Sequence, residues 1–169
     1  IHPASDDIPL PTHTLWDEHD IRAHRLMTDQ VHEHGALAGV ELWVGGSRSA
    51  NLLSREVSMD VSSMPHWERD PFQSRAMTKA DIVELRRWHR NAALRAKEAG
   101  FDIVYVYAGH NMTLLMHYLL SRYNKRSDEY GGSLENPLLV GGELREYSTE
   151  YVRDTFARDV RFALVLLTG

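Results

Sequence analysis

The stretch Ala99-Gly100-Phe101-Asp102-Ile103-Val104-Tyr105-Val106-Tyr107-Ala108-Gly109-His110 narrows most what this chain can fold into. Gly100 suits the left-handed residue that ends a helix, and Ile103 to Val106 supply the β-branched and aromatic side chains that favour a strand. Its apolar character on both faces predicts a parallel strand covered by helices on both sides; an antiparallel surface strand would alternate apolar with polar. Tyr107 and His110 then fall at its carboxyl end, where parallel α/β folds gather their loops and ligand-binding groups. Ordinary packing at a strand end is the simpler reading of the same two residues.

The flanking sequence fits this frame. The proline-bearing first fifteen residues read as an extended loop. Trp16 to His34 predicts a helix, with Ile21, Met27 and Val31 at loose helical spacing, acidic residues in the first turn and Gly35 just beyond the end. Ala36 to Trp43 is a short apolar run closing in Gly45-Gly46, a strand and a tight loop. Residues 47–76 keep no period and predict a long irregular connection. Thr78 and Asp81 form a capping-box pattern, and Ile82, Leu85, Trp88, Ala92, Ala96 and Ala99 repeat at helical spacing. After an apolar patch from Met112 to Leu120 and a polar loop over 124–133, Leu144, Tyr147, Tyr151 and Thr155 share a helical face, and Val160 to Leu167 is β-prone.

The predicted order is helix, strand, helix, strand, helix, strand, with crossovers long enough to make the strands parallel. Three parallel strands with two open edges complete neither a barrel nor a doubly wound sheet, so the chain reads as part of a larger structure. An unpaired parallel edge invites association, and a homo-oligomer is expected. The net charge of -5 supplies no basic stripe for nucleic acid. No apolar run approaches the length of a membrane span, and Ile1-His2-Pro3 lacks a signal peptide's basic start. The absence of cysteine excludes disulfides, thiol catalysis and iron–sulfur ligation by these residues, and a cytoplasmic location is expected.

Five phrases carry a family resemblance: Ser5-Asp6-Asp7, Leu15-Trp16-Asp17-Glu18, Gly35 through Trp43, Gly100 through Tyr107, and Asp128-Glu129-Tyr130-Gly131-Gly132-Ser133-Leu134-Glu135-Asn136. In order and spacing over residues 1–136 they resemble the trimethylamine, dimethylamine and histamine dehydrogenases of the Old Yellow Enzyme class. That resemblance implies a partial (β/α)8 barrel, running from just after the second barrel strand to about the fifth, with residues 137–169 as a divergent helix–strand tail. It also implies FMN as cofactor and a 4Fe-4S cluster elsewhere in the parent protein. A small amine would be the substrate and an electron-transferring flavoprotein the electron acceptor. Tyr107 and His110 match the Tyr and His beside the amine and the flavin, and Glu41 matches a Gln or Glu near the flavin pyrimidine edge. Gly45 and Gly46 would let their loop pass close to a ligand.

The chain departs from the family at several places. Ala108-Gly109 reverses the order found in trimethylamine dehydrogenase. Met112 replaces the tyrosine that protonates carbon in the ene-reductase branch, which disfavours a flavin-dependent ene or dienoyl-CoA reductase, the nearest alternative. Pro137-Leu138-Leu139 interrupts the pattern after Asn136, and the run ending at Leu167 lacks the arginine that closes the fifth family strand. A non-catalytic barrel fragment is the alternative of another class. His19, His24 and His32 lack metal-ligand spacing and an evident carboxylate partner, and read as surface residues. Trp16 and Trp88 read as core, Trp43 equally as core or ligand platform, and Lys125, Arg126, Asp128 and Glu129 as a solvated, mutually paired loop.

Overall fold

A computed structural model describes residues 1, 2, 5, 13–66, 72–109 and 113–132, with the backbone of Arg161–Leu167. Helix α1 (Glu18–Glu33) starts at a capping box. Asp17 accepts the backbone N–H groups of His19 and Asp20, and the Asp20 side chain returns to the cap's own N–H. The strand β1 (Gly39–Leu42) follows. A single 3-10 turn over Gly46–Arg48 and two short strands, β2 (Met59–Asp60) and β3 (Arg75–Ala76), order parts of the long connection that the sequence leaves without a period. Strands this short show no alternation to read.

Helix α2 (Lys79–Glu98) begins at the Thr78–Asp81 capping box that its sequence announces. It leads into β4 (Ile103–Gly109) through Gly100, whose φ of +91° is left-handed. The space a Cβ would fill at Gly100 is taken by the Thr28 hydroxyl, 2.8 Å away. That hydroxyl, fully buried, donates to the Ala99 carbonyl (2.6 Å), so α1 closes one of the carbonyls at the end of α2. The Met112–Leu120 patch contains a short helix, α3 (Leu114–Leu119), capped by Thr113. Apart from His117 its side chains are apolar or aromatic on every side, which leaves no amphipathic signal.

The main sheet has the order β1–β4–β5, all parallel, with β5 spanning Arg161–Leu167. Glu41 stands opposite Tyr105, and Tyr107 opposite Val165. The helical face predicted around Leu144 lies outside the described residues.

The described helices cover one face of this sheet, not both as the apolar run of β4 predicts. Leu42 and Val104 pack with Ile21 of α1 and with Ala92, Ala93 and Ala96 of α2. Toward the carboxyl ends, Val106 and Ala108 pack with Ile82 and Leu85 of α2 and with Leu114, Leu115 and Tyr118. On the other face Ile103, Tyr105 and Tyr107 are half-buried, and Gly39 and Glu41 are exposed. A barrel strand turns that second face toward the other strands across the barrel, which is why it too is rich in large side chains.

Candidate active site

Strand alternation places Glu41, Tyr105 and Tyr107 on the face away from the helices, with Tyr107 farthest toward the carboxyl end. Burial raises the Tyr107 hydroxyl above the ordinary tyrosine value, and the negative charge of Glu41 adds to the rise. Like any tyrosine, Tyr107 keeps its proton at neutral pH, and the rise only strengthens this, so its hydroxyl is available to donate a hydrogen bond on this face. His110 and Met112 lie outside the described residues. A cleft of about 360 Å³ runs beside β1, lined by Glu41, Leu42 and Trp43 of the strand segment and by Leu15 and His24.

Gly45 and Gly46 are buried, and what approaches them closely is the chain itself. A Cβ on Gly45 would meet the Ser49 hydroxyl at 2.0 Å; one on Gly46, at φ +63°, would meet Asp60 Oδ2 at 2.8 Å and His117 Nδ1 at 3.2 Å. Those two groups form a pair that the sequence does not announce. Asp60 and His117 are both fully buried, and His117 Nδ1 lies 2.7 Å from Asp60 Oδ2. The same oxygen accepts the Ser47 N–H and Oδ1 accepts the Val61 N–H, each at 2.6 Å. Separated by 57 residues, with Asp60 in an aperiodic segment, the pair has no local signature.

The loop after α3 is less solvated than its charges predict. Arg126 grips Asp128 with two bonds (2.8 and 2.5 Å) and donates to the carbonyls of Val61 (3.2 Å) and Met77 (2.6 Å). The bond from Arg126 holds the Asp128 carboxyl below its ordinary value. Lys79 and Glu129 pair on the surface at 2.8 Å. His32 corrects the reading that the helical histidines lack a carboxylate partner. Its Nε2 lies 2.8 Å from Asp102, which also accepts the Ala38 N–H (2.8 Å), tying α1 to the start of β4. His24 bonds the Thr14 carbonyl (2.8 Å). Trp16 and Trp88 are half-buried and flank His2, whose ring meets Trp16 edge-on at 4.6 Å and stacks on Trp88 at 3.8 Å.

Parallel strands backed by helices on one face, with polar groups on the other near the carboxyl ends, define a section of a (β/α)8 barrel. The chain belongs to the NADH:flavin oxidoreductase / NADH oxidase family, whose model matches residues 2–140. It is 37% identical to the dimethylamine dehydrogenase of Hyphomicrobium sp. (strain x), over all of this chain and 24% of that protein. Histamine dehydrogenase from Rhizobium sp. 4-9 superimposes with a TM-score of 0.90 at 38% identity, over 98% of this chain and 25% of its own. The 6-hydroxypseudooxynicotine amine oxidase of Pseudomonas geniculata N1 gives 0.86 at 40%, over 96% and 24%. The chain thus spans about a quarter of the length of these relatives. No described helix is long and apolar enough to cross a membrane.

The residues present fit one part of a flavin. Glu41 offers an exposed carboxylate and Tyr107 a hydroxyl donor on the barrel-facing side, groups suited to ring N–H groups and to a polar substrate. The described side chains of β1 and β4 on that face include no cation for a phosphate.

Proposed function

We propose that this chain is the section of an FMN-dependent amine dehydrogenase that carries the strand ends beside flavin and substrate. The observation that carries the reading is the placement of Tyr107 with Glu41 on the barrel-facing side, in a chain whose likeness to dimethylamine dehydrogenase extends over its whole length. Bound flavin supplies the two-electron oxidation of a small amine, giving an imine that hydrolyses to an aldehyde. Glu41 accepts hydrogen bonds at the flavin edge. Tyr107, holding its proton, orients the amine nitrogen, and His110, from its place in the sequence, is the partner that takes up the amine's proton. A 4Fe-4S cluster in the parent protein, whose ligands are not among the residues of this cysteine-free chain, would supply the onward electron transfer to an electron-transferring flavoprotein. The strand β5 (Arg161–Leu167), parallel to β4, continues the barrel, and the parent is a cytoplasmic homo-oligomer.

The test is anaerobic flavin reduction in the native holoprotein and in its Tyr107→Phe variant, using dimethylamine, trimethylamine and histamine. We expect one of these amines to bleach the wild-type flavin and the variant to do so about a hundredfold more slowly. The family description favours one second reading, a flavin reductase driven by a nicotinamide. Bleaching by NADPH with no response to any amine would select it.

A further inference from the structure

The buried pair Asp60–His117 joins the segments that follow the two strands of the proposed site. The 3-10 turn over Gly46–Arg48 lies just after β1, and α3 lies just after β4. Three links hold them together: the Leu114 N–H donates to the Val44 carbonyl (2.8 Å), His117 bonds Asp60, and Asp60 accepts the Ser47 N–H. Gly46 lies directly over the pair, its missing Cβ leaving the room that Asp60 and His117 occupy. The His117 ring stacks on Tyr123 at 4.2 Å and 13° between planes, and the Arg122 guanidinium covers the far ring at 4.9 Å. Asp60 is anchored in turn through its neighbour Val61, whose carbonyl Arg126 holds.

A fully buried carboxylate is costly unless its oxygens are taken, and an apolar pair of equal volume would hold the same segments together without that risk. What an apolar pair cannot supply is direction. Hydrogen bonds from a ring nitrogen and two backbone amides to one carboxylate allow one arrangement of turn, β2 and α3. We propose that Asp60 and His117 are positioning residues for the flavin site. They fix the turn after β1 and the helix after β4 as one unit, and so the course of the chain as it leaves Glu41 and Tyr107. This rests on the proposed placement of a flavin beside those residues.

The test compares two variants of the native holoprotein, His117→Phe and His117→Asn. Phenylalanine keeps a ring on Tyr123 and removes the donor; the asparagine amide puts a donor where Nδ1 stood and removes the ring. The readout is the rate constant for reduction of bound flavin, by whichever reductant the wild type accepts, amine or NADPH, alongside the melting temperature. We expect His117→Phe to slow reduction about tenfold or more with flavin still bound, and His117→Asn to restore the rate to within about twofold. A wild-type rate in His117→Phe, with only the melting temperature lowered, would make the pair structural alone and overturn the proposal. If His117→Phe does not fold, His117→Asn decides: a preserved rate supports the proposal and a lost one overturns it. Reduction of the wild type by NADPH alone would sink the amine reading while leaving this comparison intact; a wild type holding no flavin would sink both.

Discussion

At the scale of single residues, His89 of α2 ties the protein's stability to pH. Its side chain is fully buried, Nδ1 donates to the Leu85 carbonyl at 3.0 Å, and Nε2 has no hydrogen-bond partner among the described residues. Burial lowers its pKa to about 4, so the folded protein holds the imidazole neutral. An unfolded histidine binds its proton near pH 6.5, so between 6.5 and 4 the unfolded state carries more protons and stability falls as pH falls. The loss approaches about 3 kcal/mol at the lower end, from about 1.4 kcal/mol per pH unit. Denaturant unfolding of the native protein at pH 7 and pH 4.5 should show that fall, and His89→Leu should flatten it. An unchanged slope in the variant would place the proton elsewhere.

At the scale of elements, legibility followed locality. Both long helices are visible in the sequence because their caps and apolar spacing are written within a few turns. So is β4, whose run of β-branched and aromatic residues is bounded by Gly100. The pairs His32–Asp102 and Asp60–His117 have no local signature, since their members are 70 and 57 residues apart and become neighbours only when the sheet assembles. Arg126 reads locally as one charge in a polar loop; only the fold brings the carbonyls of Val61 and Met77 within its reach. The α2–β4 corner makes an element-scale prediction. Gly100→Ala would force a Cβ into left-handed backbone and against the Thr28 hydroxyl that closes the helix end. The expected cost is about 1–3 kcal/mol, read as a lowered melting temperature. Stability equal to wild type would mean that α1 and α2 can separate there without penalty.

At the scale of the whole molecule, the chain is a run of barrel strands whose described helices cover one face and whose other face carries Glu41, Tyr105 and Tyr107. A face of that kind is stable only when other strands, a flavin or both lie across from it, which agrees with a chain spanning about a quarter of its relatives' length. The measurement that reaches this claim most directly is the visible spectrum of the native protein under anaerobic conditions, before and after addition of dimethylamine, trimethylamine or histamine. A flavin band that stays with the protein and bleaches with one of those amines, ahead of any response to NADPH, is the predicted result. A protein that binds flavin but keeps its colour in every amine would contradict the account.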